Sequence, residues 1–336
     1  MKSNNSLNPL YLQFTLFADF GPLRYLFFSL CLLLYMTIVS ANVVIILAVC
    51  LEKSLHQPMY IFISCLSFNS LYGSAGFFPR FLMDILSDTH LISRPFCSIQ
   101  IYVIYTYVSC EMTFLSIMAY DRLVAICQPL HYHSKMTFKM VTLLVIFAVL
   151  YPVFAIGFML YLTVRLPLCG NKLNRLFCSN LPVVQLSCVD TTLNNIVGQY
   201  LLVTTIFTPL FFVLYTYLRI LLVCRRSSSE FRGKAFQTCL PHIITFITYS
   251  LSVFCELSLT RFEADKQKRD RRSPFPVIAT VDAACWVARE ADWTRWRPPS
   301  WFSDLVQPVG DVVPPDAAEG DQAQKACQKL WGRTDV

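Results

Sequence analysis

The chain has 336 residues, a net charge of +7, 55% apolar residues and only 15% charged residues. With a mean hydropathy of +0.50, it has more apolar surface than a soluble core can bury, which predicts a polytopic membrane protein. The positive charge does not indicate a nucleic-acid partner, because the basic residues are spread over loops and the tail without an aromatic-interleaved patch.

The first 24 residues are polar to mixed and precede a long apolar segment at residues 25–50. We expect these first residues to be extracellular, with a glycan on Asn4 in the sequon Asn4-Asn5-Ser6. Residues 25–50 are enough to span a bilayer. Asn42 is the one strongly polar residue within this span, and an amide in hydrocarbon needs an interhelical partner. We therefore expect Asn42 to face the helix bundle.

Further apolar segments long enough to span a membrane follow the first. They lie at residues 59–78, 98–120, 140–162, 195–224 and 239–259. Glu111 is the only acidic or basic residue in the third segment, and an ionisable group at that depth is a functional candidate. The alternative is a protonated acid that is hydrogen-bonded to its helix neighbours.

Asp121 and Arg122 follow the third segment directly, so Arg122 lies at a membrane exit. Asp121 can hold the guanidinium in a charge-assisted contact that a partner protein could break. A simple interfacial arginine that reaches toward water is the alternative interpretation.

Four cysteines cluster at one predicted face of the bundle. Cys97 precedes the third segment, and Cys169, Cys178 and Cys188 lie in the loop before the fifth. The sequon falls on the same face, which indicates an oxidising exterior. Spacing alone leaves three pairings open. Disulfides are favoured over a metal site, because the loop has no histidine and no two-residue cysteine spacing.

The run Met118-Ala119-Tyr120-Asp121-Arg122, then Val124-Ala125-Ile126-Cys127 and Pro129-Leu130-His131-Tyr132, resembles the third-helix signature of olfactory receptors, and we expect the fish type. This family belongs to the rhodopsin-like G-protein-coupled receptors. The resemblance implies an all-α polytopic membrane protein with a rhodopsin-like helical bundle. It also pairs Cys97 with Cys178 and Cys169 with Cys188. The chain departs from the family at Leu123, where tyrosine is usual, and at Ser70, where aspartate is usual.

The resemblance implies a receptor, not an enzyme, with no cofactor or metal. Its expected partners are a small-molecule odorant, a heterotrimeric G protein and the lipid of the plasma membrane. Candidate G-protein contacts are Asp121, Arg122, Arg225, Arg226 and Lys234. Candidate pocket residues are Tyr105, Val108, Ser109, Met112, Tyr249 and Ser252. Candidate members of an intramembrane polar core are Asn42, Ser70 and Glu111. For the Tyr and Ser residues among the pocket candidates, a plain interhelical hydrogen bond is the alternative role.

The composition changes at about Lys266. Beyond it there is no Tyr, His, Asn or Met, all five Trp appear, and no apolar run is long enough to span a membrane. We therefore expect six spans within residues 25–260, a disordered tail at residues 261–336 and no seventh helix. Loss of that helix is expected to leave Asn42 and Glu111 without partners and to impair signalling.

Two alternatives to a signalling receptor follow from this reading. The first is a non-signalling product retained in the endoplasmic reticulum. The second, a six-span channel or transporter, is disfavoured because no periodic arginine helix, re-entrant filter or inverted repeat is visible.

Overall fold

The computed structural model describes residues 8–16, 21, 23–224, 243–244 and 246–254, most of which are helical. The helices are α1 (Leu23–Leu51), α2 (Pro58–Leu86), α3 (Arg94–Cys127), α4 (Tyr132–Lys135), α5 (Phe138–Val164), α6 (Asn180–Gln185), α7 (Thr192–Leu202) and α8 (Thr208–Cys224). Residues 243–244 and 246–254 are helical as well. The predicted all-α architecture is confirmed.

Five helical segments of the described part are long and apolar enough to cross a membrane. They are Leu23–Leu51, Pro58–Leu86, Arg94–Cys127, Phe138–Val164 and Thr192–Val223. At about 1.5 Å per residue, each can cover a hydrocarbon core of roughly 30 Å. The chain is therefore a multi-pass membrane protein. The predicted sixth span is described only in part, and the predicted absence of a seventh helix lies outside the described residues.

Helix α2 continues past Phe78, the predicted end of the second span, to Leu86. It passes through Pro79, which lacks the N–H for one helical hydrogen bond. The charged residues beyond this point compensate each other, since Arg80 donates to both carboxylate oxygens of Asp84 at 2.8 and 2.6 Å. A bidentate pair of this kind lets the helix carry both charges further than the apolar run alone predicts.

Helix α3 is the centre of the bundle and contacts α2, α5 and α8, whereas α1 packs mainly on α2. Two glycines of α2 allow the close approach of α3. A Cβ added at Gly73 would lie 2.5 Å from the ring of Tyr107, and one added at Gly76 would overlap Val103. Small residues at a helix contact let the backbones come together and maximise van der Waals packing.

A π-helical turn at Val203–Phe207 separates α7 from α8. Pro209 follows directly, and its ring and missing N–H disturb the regular bonding of the preceding turn. The Thr208 backbone N–H consequently bonds to the Val203 carbonyl, five residues back. Pro209 therefore accompanies a local widening of the helix in the preceding turn and does not end the helix.

A three-stranded sheet covers the end of the bundle that carries both disulfides, and the sequence analysis did not predict it. Strand β1 (Tyr11–Phe14) is central, antiparallel to β2 (Leu91–Ser93) and parallel to β3 (Lys172–Leu173). Leu12 and Phe14 are buried there among side chains of α3 and α5. The N-terminal segment is therefore packed onto the bundle from Asn8 onward, and Asn4 lies outside the described residues.

Candidate functional site

A cavity of about 780 Å³ lies at the disulfide end of the bundle. Its walls come from α3, α5, α7, the π-helical turn and the segment at residues 172–191, and Val253 adds to them. The volume falls within the range of about 300–1,000 Å³ that small-molecule sites usually have. We call it the outer cavity, and it is the candidate ligand site.

The segment between α5 and α7 is held against the bundle by one disulfide and by a polar contact, and a second disulfide closes the segment on itself. The structure joins Cys97 to Cys178 and Cys169 to Cys188, which are the two pairs that the resemblance implies. The Cys178 backbone N–H also donates to Gln100 Oε1 at 2.9 Å. The start of α3 therefore positions this wall of the cavity.

Asn180, at the start of α6, links three elements of the cavity wall. Its Oδ1 accepts a 2.8 Å hydrogen bond from the Thr163 hydroxyl of α5. Its backbone N–H donates to the Tyr105 hydroxyl of α3 at 3.3 Å. Asn194 of α7 donates to the same Thr163 hydroxyl at 3.5 Å. Because buried polar groups require partners, this network fixes the shape of the wall before a ligand arrives.

Half of the predicted pocket residues line the outer cavity. They are Tyr105, Val108 and Ser109. Their spacing of three and four residues places them on one face of α3. Val253 lines the cavity as well, whereas its neighbour Ser252 was the predicted pocket residue.

The other three predicted pocket residues, Met112, Tyr249 and Ser252, lie outside the cavity lining. Met112 and Tyr249 are buried in the apolar cluster further along α3. The Ser252 hydroxyl donates to the Thr248 carbonyl of its own helix at 2.9 Å. A sequence shows which residues are polar or apolar, but the rotation of each helix in the bundle decides which of them face the cavity.

The segment at residues 172–191 supplies polar lining that the sequence analysis missed. It includes two cations, Lys172 and Arg175, and the amides of Asn174, Asn180 and Gln185. These residues are in a loop whose course depends on the disulfides and on β3. The three cysteines of this loop, together with Cys97 of α3, were the signal that the segment is held near the bundle.

Asp121, Arg122 and Tyr132 form a buried polar cluster at the opposite end of α3, which we call the Arg122 cluster. Arg122 Nη2 donates to Asp121 Oδ2 at 2.8 Å, and the Tyr132 hydroxyl donates to Asp121 Oδ1 at 2.8 Å. Asp121 is 0% and Arg122 is 6% exposed. Burial and then the Asp121 carboxylate raise the pKa of the Tyr132 hydroxyl, so it remains protonated and able to donate.

Tyr132 was quoted in the sequence signature without a role, and the structure supplies its contact. The chain leaves α3 at Cys127 and turns through Pro129–His131, which brings Tyr132 back to Asp121. The other predicted G-protein contacts, Arg225, Arg226 and Lys234, lie outside the described residues.

Glu111 is fully buried within the bundle and has a partner on α2. Asn69 Nδ2 donates to Glu111 Oε2 at 2.7 Å and to the Tyr107 carbonyl at 3.0 Å. Ser70, the predicted member of this polar core, is buried beside Asn69, but its hydroxyl has no hydrogen-bond partner among the described residues. The amide that the sequence analysis missed therefore makes the contact.

Asn42 is buried as expected, but its partner lies in its own helix. The Asn42 side-chain amide donates to the Ile38 carbonyl at 2.9 Å. The expectation that Asn42 and Glu111 lack partners without a seventh helix is therefore wrong, because each has one within residues 23–224. Among the described residues, no group of three or more His, Cys, Asp or Glu is placed to hold a metal ion.

Comparison with known proteins gives a consistent set of matches. A family model described as "Olfactory receptor" matches residues 30–268. The chain is 37% identical to human olfactory receptor 6N1, over 68% of this chain and 75% of that receptor. It is 37% identical to mouse olfactory receptor 1M1, over 64% of this chain and 70% of that receptor. It is 33% identical to human olfactory receptor 10R2, over 73% of this chain and 74% of that receptor.

Proposed function

Since the chain belongs to the olfactory receptor family, we propose that it binds a small odorant in the outer cavity and couples to a heterotrimeric G protein through the Arg122 cluster. This is a family of receptors, so the chain is not an enzyme. One observation carries the proposal: α3 contributes residues both to the cavity wall and to the Arg122 cluster.

Helix α3 connects the two sites directly. Ser109 lines the cavity, and Arg122 follows it on the same helix, roughly 20 Å further along at about 1.5 Å per residue. A rigid helix can transmit a displacement over this distance without local unfolding. Binding at one end therefore has a physical route to the other.

The helical residues 246–254 provide a second connection. Val253 lines the outer cavity, whereas Phe246 packs in the apolar cluster that also contains Leu123 and Val124. A ligand that pushes against Val253 changes how this segment packs on α3. The resemblance to related receptors assigns an outward movement to this sixth helix, and these contacts are the ones that such a movement would change.

Release of Arg122 is the proposed output. The guanidinium is buried and bonded to Asp121, so a G protein can contact it only after the bundle opens and this pair breaks. Breaking a buried ion pair is costly unless a new partner replaces the lost one. Arg225, Arg226 and Lys234 are proposed as additional basic contacts for the same G protein.

We place the receptor in the plasma membrane with its disulfide end outside. Disulfides form and persist in oxidising compartments, and this end carries both of them. Exposed apolar side chains on α1 and α5, such as Leu33 and Phe154, are suited to contact lipid. Asn4 is the proposed glycan site. The relatives named above are mammalian, so the fish type stays a prediction.

Impaired signalling is part of the proposal. The match to the family model ends at residue 268, close to the change of composition at Lys266. The second candidate is consequently a non-signalling product that is retained in the endoplasmic reticulum.

A second-messenger assay with an odorant panel tests the receptor mechanism. The parent for the assay carries the seventh helix of a close relative in place of residues 267–336. Val108→Trp places a bulky indole in the outer cavity and obstructs it, and Val44→Trp is its control because Val44 is exposed on α1. We expect Val108→Trp to abolish the response at normal surface level and Val44→Trp to preserve it. An unchanged response in Val108→Trp would exclude the outer cavity.

A further inference from the structure

We propose that the outer cavity selects amphiphilic ligands with an anionic head, with small aliphatic carboxylates as the chemical class. This inference rests on the proposed function, because it assumes that the outer cavity is the ligand site. It goes further by assigning the chemistry of the ligand.

The first argument is the charge of the lining. Lys172 and Arg175 both line the cavity, and none of its described lining residues is Asp or Glu. A cavity with two cations and no acid among its described walls has a positive potential that attracts anions. The described lining therefore disfavours a cationic ligand such as an amine.

The second argument is the burial of one of these cations. Arg175 is 4% exposed, and a guanidinium in a poorly hydrated site interacts more strongly with an anion than one in water. Its planar fork of N–H donors matches the two oxygens of a carboxylate. A guanidinium also has more donors than one partner uses, so contacts within the protein do not prevent it from binding a ligand.

The third argument is the division of the lining into a polar and an apolar part. Arg175 and Lys172 belong to the segment between α5 and α7, whereas Val108, Ile206 and Val253 come from the helices. Val108 also lies one turn further into the bundle than Ile104 of the same lining. A ligand that satisfies both parts has a charged head near the segment and an aliphatic chain between the helices.

The test compares pairs of ligands that differ only in the head group. Hexanoate, octanoate and decanoate are each titrated against purified full chain in detergent, beside hexanol, octanol and decanol. Binding is measured as the saturable rise of the thermal unfolding midpoint. We expect a carboxylate to bind at least tenfold more tightly than the alcohol of equal length.

Substitutions then test which residue causes the preference for carboxylates over alcohols. Arg175→Gln should weaken carboxylate binding roughly tenfold, the size of one charge-assisted contact, and should leave alcohol binding unchanged. If Arg175→Gln does not fold, carboxylate and alcohol binding are compared in Lys172→Gln instead, because Lys172 is at an exposed position. Arg165→Gln is the matched control, because Arg165 stacks on Tyr161 outside the lining.

The possible results distinguish a wrong ligand class from a wrong assignment of the outer cavity as the ligand site. If carboxylates and alcohols bind equally and Val108→Trp removes both, the ligand class is wrong and the outer cavity remains the ligand site. If Val108→Trp leaves all binding unchanged, or if no ligand of either series binds, both the ligand class and the assignment of the cavity are wrong.

Discussion

The Tyr132 hydroxyl donates a 2.8 Å hydrogen bond to Oδ1 of Asp121, the carboxylate whose other oxygen holds Arg122. The loop after α3 is thereby bonded to the acid that restrains the arginine. Asp121 has no exposed surface, so water cannot replace this hydrogen bond if it is lost. Tyr132 is therefore part of the restraint on Arg122.

We predict that Tyr132→Phe raises basal second-messenger output in the receptor that carries a relative's seventh helix. Removal of a hydrogen bond to a buried charged group costs about 1.5–3 kcal/mol. The substitution therefore destabilises the state in which Asp121 restrains Arg122. The state in which Arg122 is released becomes more populated. Tyr120→Phe is the control, because the Tyr120 hydroxyl makes neither of the Asp121 contacts. Equal basal output in both variants would contradict a restraining role.

Arg122→Ala should abolish signalling per receptor molecule at the surface, because the proposed G-protein contact requires the released guanidinium. Loss of the buried partner of Asp121 also destabilises the fold, so the output is normalised to the surface level of each variant. Surface staining and second-messenger rise are measured on the same cells. Undiminished output would remove Arg122 from the mechanism.

Asn69→Leu should lower the free energy of unfolding by about 1–3 kcal/mol, since it leaves the buried Glu111 carboxyl without its α2 donor. The Asn69 amide also serves the Tyr107 carbonyl, so two contacts are lost together. Ser70→Ala is the matched control, because the Ser70 hydroxyl has no hydrogen-bond partner among the described residues. Thermal unfolding of the purified chain in detergent measures both variants. If Ser70→Ala is as destabilising as Asn69→Leu, the assignment of Asn69 as the partner is wrong.

Non-reducing mass mapping should recover two disulfide-linked peptide pairs, Cys97 with Cys178 and Cys169 with Cys188. Cys178→Ser should then weaken ligand binding more than Cys188→Ser does. The Cys97–Cys178 bond ties the cavity wall to α3 across 81 residues, whereas Cys169–Cys188 closes a separation of 19 within the loop itself. Free thiols at all four positions would overturn the assigned orientation of the bundle.

The presence of several apolar helices that can cross a membrane could be predicted from the sequence, because length and apolar content determine whether a segment can span. The bounds could not, since α3 runs from Arg94 to Cys127 and not from residue 98 to 120. The hydrogen-bond partner of Glu111 could not be predicted from the sequence. Asn69 and Ser70 are adjacent, and one residue turns a helix by about 100°, so only the packing of α2 on α3 decides which of them reaches the carboxyl.

The residues that line the cavity could likewise be predicted only in part from the sequence. Tyr105, Val108 and Ser109 share one face of a predicted helix, so periodicity was sufficient to find them. Arg175 reaches the cavity because the loop is bonded to α3 and paired with β1, and these contacts join parts of the chain that are distant in sequence. The strand at Tyr11–Phe14 depends on the same contacts, which explains why the N-terminal segment was expected only to be exterior.

The last prediction is that the full chain does not raise second messenger in response to odorants, whereas the version with a relative's seventh helix does. The reason differs from the one that the sequence first suggested. Asn42 and Glu111 have partners within residues 23–224, so the expected absence of a seventh helix would not leave them without partners. The prediction rests on composition, because residues 267–336 contain no apolar run long enough to span a membrane.

Helix α1 makes this prediction specific. It packs mainly on α2 among the described elements and buries only Cys31, Ile38, Asn42 and Val49. Among the described residues, α1 thus offers a face on which an added seventh helix can pack, whereas we expect the Arg- and Pro-rich sequence 267–336 not to insert as a replacement. The two versions are compared by surface staining and odorant-driven second-messenger rise. Equal surface levels together with equal responses would show that residues 267–336 do not impair the receptor.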